Sequence, residues 1–317
     1  MSVFTPVDRS QLEAFLAAFE LGSLIDFRGI EGGSENSNFF VDCTGGSFVL
    51  TLVERGPADE LEFFVALLEC LHQANLPVPY AIADRHGQTL HRLENRPALM
   101  QPRLTGRHVQ APEPQHCAAV GRMLAQLHQV TSTCGLERSS DRGMQWMADE
   151  AERYRQGALP MESELLDDAF EALRRVRQLE PGLPRAVLHA DLFRDNVMFE
   201  GHRLTGIIDF YNAASGPTLY DVAICANDWC LDAEHRLDPL RTSALLEAYA
   251  GERPFTAEEA ACWPAMLRVA ALRFWLSRSL AAQAHADQPG VLVKDPMHFM
   301  QILQAHRHVS VRLPRAA

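Results

Sequence analysis

The chain has 317 residues, a formal net charge of −12 at pH 7 and a sequence pI near 5.5. Its hydrophobic share of 47% is ordinary for a globular protein and excludes a disordered one, and its acidic balance argues against a general nucleic-acid or anionic-membrane binder. The length predicts two domains. Lys294 is the only lysine, so a motif that needs lysine anywhere else has none.

The N-terminal segment predicts no targeting signal. The first ten residues lack the basic start and long apolar run of a signal peptide, and no later apolar run reaches the length of a membrane span. The seven cysteines are scattered, without a C-x-x-C pair. This pattern predicts reduced thiols in a cytoplasmic protein rather than a disulfide or zinc framework.

Residues 1–100 predict a small lobe of mixed α and β structure. Thr5 is predicted to cap a first helix, whose apolar side chains repeat through Phe19. A small, polar turn at 31–37 lies between the first two predicted strands. Strand-like runs are predicted at 25–30, 38–43, 48–53, 81–83, 88–91 and 98–100, with a helix at 58–74.

The pattern changes at residues 101–106, which are predicted to be a hinge. Residues 107–317 then form a larger lobe in which helical periodicity dominates. Its helices are predicted at about 115–130, 144–156, 163–179, 219–230, 239–250, 257–282 and 296–307, with short strands at 187–188, 197–199 and 204–210. The fold class is therefore α+β, with an antiparallel sheet in the first lobe and mainly helices in the second.

Three polar side chains in the second lobe follow or interrupt short apolar strands. Asp191 follows the apolar run 187–188, Asn196 comes five residues later, and Asp209 stands between Ile208 and Phe210. Such carboxylates are costly unless a cation or hydrogen bonds hold them. Carboxylate and amide oxygens suit Mg²⁺, and a carboxylate not bound to the metal could accept a hydroxyl proton. This set of groups is typical of phosphoryl transfer.

The spacing of these residues resembles the protein-kinase catalytic set. It reads H-x-D-x-x-x-x-N from His189 to Asn196, followed by Ile-Asp-Phe at 208–210. Ala190 and the I-D-F form resemble the aminoglycoside phosphotransferase and choline kinase branch of small-molecule kinases. The resemblance implies a two-lobed protein-kinase-like fold with ATP and Mg²⁺ as cofactors.

The same resemblance implies a role for each residue. Asp191 corresponds to the catalytic base that orients the acceptor hydroxyl. Asn196 and Asp209 correspond to the two Mg²⁺ ligands. His189 and Asp221 correspond to structural supports of the catalytic loop. In the other interpretation, Asp221 is an acidic residue at a helix N-terminus that the helix dipole stabilises.

The first lobe is expected to hold ATP. In the turn, backbone N–H groups and polar side chains could contact phosphate, and the predicted residues are Ser34, Asn36 and Ser37. Residues 100–103 correspond to the kinase hinge. There Met100, Gln101 and Arg103 are predicted to bind nucleotide, with the Gln101 carbonyl and the Arg103 N–H facing adenine.

One position departs from the protein-kinase pattern. Thr51 stands where kinases carry the lysine of the third strand. Either the protein is a nucleotide-binding pseudokinase, or its branch handles phosphate differently.

Several segments resemble bacterial homoserine kinases of this fold. They are residues 35–41, 48–54, 189–196, 225–230 and 272–278. In that branch threonine also replaces the third-strand lysine. The resemblance implies phosphorylation of L-homoserine by ATP, which gives O-phospho-L-homoserine and ADP on the way to threonine.

The acceptor itself makes two demands, an acid for its ammonium group and a cation for its carboxylate. Asn227 and Asp228 are predicted to bind the ammonium group. Arg273 or Arg278 would supply the cation through a contact of two parallel bonds. The two arginines are five positions apart and do not share a helix face, and Arg273 is preferred. The alternatives are the same chemistry on choline, ethanolamine, methylthioribose or an aminoglycoside, and the pseudokinase. No nucleic-acid or membrane partner is expected.

Overall fold

The contacts within the molecule divide it into two units. Unit 1 contains residues 1–106 and 205–208, and unit 2 contains residues 107–204 and 209–317. The structure is a computed structural model that describes residues 4–30, 36–54, 58–284, 294–308 and 311–314.

Unit 1 is built on a five-stranded antiparallel sheet in the order β1-β2-β3-β5-β4. Its elements are α1 (Arg9–Leu16), β1 (Leu24–Gly29), β2 (Ser37–Cys43), β3 (Gly46–Leu52), α2 (Ala58–Gln73), β4 (His91–Leu93) and β5 (Arg96–Pro102). Burial alternates at every residue of β2 because successive side chains of a strand point to opposite faces. Leu12 and Leu16 of α1 pack against the buried residues of β2, β3 and β5.

Two expectations for unit 1 were wrong. The first helix is capped by Asp8, whose carboxylate accepts a hydrogen bond from the Gln11 N–H at 2.8 Å. Thr5 is not the cap, because its N–H donates to the Ser37 hydroxyl at 3.0 Å. Residues 81–83 form no strand, and the Ile82 N–H makes a single bond of 2.7 Å to the Met100 carbonyl.

Unit 2 is mainly helical, and each helix predicted there is present. The helices are α3 (Pro114–Thr131), α4 (Met144–Arg155), α5 (Pro160–Leu179), α6 (Thr218–Trp229), α7 (Pro239–Glu252), α8 (Ala257–Ala284) and α9 (Pro296–Ala305). Trp229, Trp263 and Trp275 are among its largest fully buried side chains. None of the helices in the described part of the chain has the length and apolar content needed to span a bilayer.

Two pairs of short strands accompany the helices. The strands are β6 (Arg185–Leu188), β7 (Val197–Glu200), β8 (Arg203–Ile207) and β9 (Ala214–Pro217), and the pairs are β6 with β9 and β7 with β8. The strand predicted at 204–210 ends at Ile207. Asp209 has φ of 65°, a left-handed conformation that no strand residue adopts.

Candidate active site

The loop of residues 189–196, which the resemblance to kinases makes the candidate catalytic loop, leaves β6 through a strained residue. Ala190 has φ of 61°, which is uncommon for a residue other than glycine. The fully buried carboxylate of Asp221, in the first turn of α6, accepts hydrogen bonds from the His189 N–H and the Ala190 N–H, each at 2.7 Å. These two charge-assisted bonds hold the backbone conformation that aims Asp191 out of the loop.

A histidine of α3 hydrogen-bonds to Asp221. The Nε2 of buried His128 donates to Asp221 at 3.1 Å, and its Nδ1 accepts from the Tyr249 hydroxyl at 2.8 Å. Burial lowers the pKa of His128, and Asp221 acts in the opposite direction. A neutral ring with one donor and one acceptor satisfies both partners.

Asp191 lies beside a chain of polar side chains. The Asn212 amide donates to Asp191 Oδ2 at 3.3 Å, and Arg273 donates to the Asn212 oxygen at 3.1 Å. Burial raises the pKa of Asp191 to about 7, the charge of Arg273 lowers it, and the charge of Asp209 raises it. Two carboxylates that disfavour each other's ionisation are an arrangement that a divalent cation relieves.

Asn196 and Asp209 fit the hard oxygen ligands of Mg²⁺. Asn196 follows a short turn and donates from its amide nitrogen to the Asp191 carbonyl at 2.9 Å. Its oxygen is therefore the atom left for a cation. Asp209 is exposed, and its left-handed backbone turns the chain directly after β8. The donor set is one amide oxygen and one carboxylate.

Arg273 is a buried cation, only 5% exposed. Its guanidinium donates to Asn212 and, at 3.4 Å, to the Ser277 hydroxyl, and it lies 4.2 Å from the centre of the Phe274 ring. No carboxylate of the described residues lies within ion-pair distance of it. A buried guanidinium without an anion is costly, so the site favours an anionic ligand.

Tyr220 adds a second donor near Arg273. Its hydroxyl is buried and has no hydrogen-bond partner among the described residues. Burial raises the pKa of Tyr220 to about 12, and the charge of Arg273 opposes this rise. The phenol is therefore a neutral donor. An unsatisfied buried donor beside an unpaired buried cation is a consistent anion-binding pair.

Both residues predicted for the acceptor's ammonium have hydrogen-bond partners within unit 2. Asp228 accepts from the Arg194 backbone N–H at 2.7 Å and from its guanidinium at two positions of 3.1 Å each. Fully buried Asn227 donates to the Leu267 carbonyl at 2.9 Å and accepts from His306 at 2.6 Å. Both side chains stabilise the fold of unit 2 and are already satisfied.

The phosphate-loop prediction in unit 1 is wrong for Ser37. This fully buried hydroxyl donates to Glu54 at 2.5 Å and accepts from the Phe4 N–H at 2.8 Å. It joins the N-terminal segment to the sheet. Asn36 accepts from the Glu54 N–H at 3.3 Å, while Ser34 lies outside the described residues.

The predicted hinge contacts are also wrong. The Arg103 N–H donates to the Ser47 carbonyl at 3.1 Å, which extends the ladder between β3 and β5. Gln101 pairs with Val49, and the alternation of an antiparallel ladder directs its backbone to the same side. The Met100 carbonyl is bonded to Ile82. The sequence pattern could not set the register of this ladder, which decides where the backbone groups of residues 100–103 point.

Thr51 belongs to a buried polar row across the sheet. Its hydroxyl donates to Asn38 Oδ1 at 2.7 Å and lies 3.4 Å from Gln101 Oε1. Gln101 in turn donates to the Pro79 carbonyl at 2.5 Å. At 3% exposure, this position has polar partners of its own and no room for an ammonium group.

Sequence reasoning missed Asn212, Tyr220 and the ion pair of Asp195 with Lys294. Each lies close to a residue that the motif did identify. Tyr220 precedes Asp221, Asn212 follows Asp209 by three residues, and Asp195 precedes Asn196. Motif spacing assigns no role to these neighbours, and only side-chain contacts reveal them.

One further group of possible metal ligands occurs among the described residues, formed by Glu113, His116 and His202. His116 Nδ1 accepts from the Glu113 N–H at 3.1 Å, so Nε2 carries the proton and donates to the Gly201 carbonyl at 3.2 Å. Both ring nitrogens of His116 are thus committed. The remaining two ligand atoms are too few for a tetrahedral zinc site.

Comparisons with known proteins agree with this geometry. The model of the phosphotransferase enzyme family matches residues 26–255. A homoserine kinase of Pseudomonas aeruginosa (strain UCBPP-PA14) is 55% identical over 316 residues, which cover 100% of both chains. A homoserine kinase of Methylobacillus flagellatus is 42% identical over 306 residues, covering 96% of this chain and 95% of the relative.

Two solved structures share the fold. A spectinomycin phosphotransferase in complex with ADP and spectinomycin is 13% identical, with a TM-score of 0.63 and coverage of 95% of each chain. An amicoumacin kinase in complex with AMP-PNP and Ca²⁺ is 14% identical, with a TM-score of 0.66 and coverage of 95% of this chain and 92% of the other. The chain belongs to the phosphotransferase enzyme family and has the protein-kinase-like fold of its small-molecule kinases.

Proposed function

We propose that this protein transfers the γ-phosphoryl group of ATP to the side-chain hydroxyl of L-homoserine, giving O-phospho-L-homoserine and ADP. This places it in the cytoplasm, in threonine biosynthesis. The similarity to homoserine kinases over the whole chain supports the reaction. The observation that carries the acceptor is buried Arg273, which lies one side chain away from Asp191 and has no carboxylate partner in the described part of the chain.

Asp191 orients the acceptor hydroxyl and accepts its proton as the phosphoryl group moves. Asn212 donates to Oδ2, which leaves Oδ1 to face the hydroxyl. Burial keeps the pKa of Asp191 near 7, so the carboxylate is a better proton acceptor than an exposed aspartate. Catalysis then rests on positioning and charge compensation.

Asn196 and Asp209 would hold Mg²⁺ through the amide oxygen and the carboxylate. When bound, the metal supplies positive charge to the phosphate oxygens. Asn196 also fixes the catalytic loop, since its amide nitrogen bonds the Asp191 carbonyl. The same side chain therefore couples the metal position to that of the base.

Arg273 and Tyr220 bind the α-carboxylate of the acceptor. The guanidinium offers two parallel donors and the phenol offers a third. The carboxylate would satisfy both buried groups at once. A ligand without a carboxylate, such as choline, leaves them unsatisfied, which is why the geometry favours an amino-acid alcohol.

In unit 1, the backbone groups that bind adenine lie one residue away from those that the sequence predicted. The Arg103 N–H faces β3, and antiparallel alternation turns the Pro102 carbonyl and the Leu104 N–H to the opposite side. We assign these two groups to the adenine edge. Arg103 contributes through its side chain, which covers the Phe40 ring at 4.0 Å from its centre.

ADP release by the purified protein with Mg²⁺-ATP tests the function. The panel is L-homoserine, D-homoserine, L-serine, choline, ethanolamine, methylthioribose and kanamycin, with Asp191→Ala measured in parallel. Strong turnover on L-homoserine alone, lost in the variant, is expected. Turnover only on a different alcohol contradicts the acceptor assignment, and nucleotide binding without turnover on any compound supports a pseudokinase.

A further inference from the structure

The proposed homoserine site lacks a group that binds the acceptor's ammonium. A primary ammonium has three donors and needs an acceptor-only partner when it leaves water. Asp228 cannot provide it, because Arg194 already occupies both carboxylate oxygens and the side chain is only 12% exposed. The charge that recognises the ammonium must therefore come from another residue of unit 2.

Asp195 is the carboxylate of the catalytic loop that remains accessible. Its side chain is 50% exposed, and it lies one residue before Asn196. Its ion-pair partner is the Lys294 ammonium, which also lies 5.6 Å from the centre of the Phe193 ring. The free protein thus places a primary ammonium, the same chemical group that the acceptor carries, on this carboxylate.

The electrostatics place Asp195 in the same cluster as the catalytic base. The charges of both Asp195 and Lys294 act on the pKa of Asp191, raising and lowering it respectively, after the larger effects of burial, Arg273 and Asp209. Arg278 completes the cluster, with its guanidinium 4.5 Å from the centre of the Phe299 ring and Nη1 donating to the Asp295 carbonyl at 3.3 Å. After the larger effect of burial, two exposed carboxylates, those of Asp195 and Asp295, act on the pKa of Arg278. Asp295 caps α9 by accepting from the Met297 N–H at 2.9 Å, whereas the side-chain partner of Asp195 is the exchangeable Lys294.

The ion pair of Asp195 and Lys294 is easily exchanged. Both side chains are half exposed, and solvent screening makes such ion pairs weak. We propose that Asp195 binds the α-ammonium of the amino-acid acceptor, and that this ammonium displaces Lys294 from the carboxylate. The proposal rests on the homoserine kinase function and adds the residue that selects an amino acid over the corresponding hydroxy acid.

Substrate discrimination tests the assignment. L-homoserine is compared with 4-hydroxybutanoate, which has the same hydroxyl and carboxylate but no ammonium. In Asp195→Asn we expect kcat/KM for L-homoserine to fall about 10- to 100-fold, the range of one hydrogen bond to a charged group, with an unchanged value for 4-hydroxybutanoate. Asp167→Asn, which removes another exposed and ion-paired carboxylate of unit 2, is the matched control.

The two proposals fail in different ways. If the wild-type protein phosphorylates neither compound, both the function and the ammonium site are overturned. If the wild-type protein phosphorylates L-homoserine and Asp195→Asn lowers both kcat/KM values equally, only the ammonium assignment is wrong. Asp195 would then support the catalytic loop.

Lys294 provides a second measurement, because it is the only lysine. An acylating reagent followed by peptide mass spectrometry reports the reactivity of this single side chain. Displacement from Asp195 predicts that L-homoserine increases the acylation rate of Lys294 and that 4-hydroxybutanoate does not. Protection of Lys294 by L-homoserine contradicts the proposal, since the lysine would then hold a substrate anion. Lys294→Met is expected to lower KM for L-homoserine by up to about 5-fold, and a raised KM contradicts displacement.

Discussion

The amide of Asn212 donates a hydrogen bond of 3.3 Å to the carboxylate of Asp191. The oxygen of the same amide accepts from Arg273 at 3.1 Å. One neutral side chain thus sets the distance between the proposed catalytic base and the proposed carboxylate-binding cation. In the proposed reaction this bridge would set the spacing between the acceptor's hydroxyl and its carboxylate.

Replacing Asn212 with Ala removes this bridge. We expect kcat for L-homoserine to fall about 10-fold or more, because a displaced base loses its near-attack geometry. The affinity for ATP should be unchanged. Steady-state kinetics and nucleotide titration measure the two effects, and Gln301→Ala, at an exposed position of α9 in unit 2, is the control. Equal losses in catalysis and nucleotide affinity would argue for general damage to unit 2.

Tyr220→Phe removes only the hydroxyl that lacks a partner among the described residues. If the hydroxyl binds the acceptor's carboxylate, KM for L-homoserine rises by about 10-fold, the lower end of the range for a hydrogen bond to a charged group. Thermal stability should stay the same or increase, because no internal bond is lost. A more stable variant with unchanged KM would show that the hydroxyl does not contact substrate.

The metal assignment predicts a dependence on divalent cation. EDTA should abolish turnover and added Mg²⁺ should restore it. Asn196→Ala and Asp209→Asn should each raise the Mg²⁺ concentration needed for half-maximal activity by about 10-fold or more. Asparagine tolerates the left-handed backbone of residue 209, so this variant isolates the charge. Binding of Mn²⁺ in the presence of AMP-PNP, measured by electron paramagnetic resonance, is the readout independent of activity.

A variant of Ser37 distinguishes a structural role of this side chain from a nucleotide-binding role. Ser37→Ala leaves the Phe4 and Thr5 N–H groups without their acceptor, which should destabilise unit 1 by about 1–3 kcal/mol. ATP affinity should not change. The four tryptophans lie in unit 2, so hydrogen exchange of β2 and β3 is the suitable probe. Exposed Ser47→Ala is the control, and weaker ATP binding by Ser37→Ala at unchanged stability would favour the original nucleotide role.

His306 predicts an acid-sensitive contact between α9 and α6. Burial lowers its pKa from 6.5 to about 3, and the positive charge of Arg268 adds to the effect. The unfolded chain therefore binds a proton that the folded protein excludes. Stability is complete above about pH 6.5 and falls as the pH decreases, by about 1.4 kcal/mol per pH unit from this group.

The measurement is denaturant unfolding as a function of pH, followed by tryptophan fluorescence of unit 2. His306→Gln can still donate to Asn227 but does not titrate, so its stability should depend less steeply on pH. Exposed His308→Gln should leave the slope of the wild-type protein. Equal slopes for all three proteins would show that His306 is not the responsible group.

Local pattern determined much of this protein. Apolar periodicity predicted helices such as α5, because one stripe of its side chains is buried and the members of that stripe recur three or four residues apart. The spacing of Asp191, Asn196 and Asp209 was sufficient to indicate phosphoryl transfer. These features involve residues that are close together in the sequence, so they can be recognised without knowledge of the fold.

Only the tertiary structure decided which polar groups are available to a ligand. Asp228 is neutralised by Arg194 34 positions away, and Asn227 is bound by His306 79 positions away. The register of β5 likewise depends on its pairing with β3. A buried polar group needs a hydrogen-bond partner, and the fold can bring that partner from any part of the chain. Such pairs have no regular spacing in the sequence. The helices of unit 2 could therefore be predicted from the sequence, whereas the proposed acceptor and adenine contacts depend on long-range hydrogen bonds.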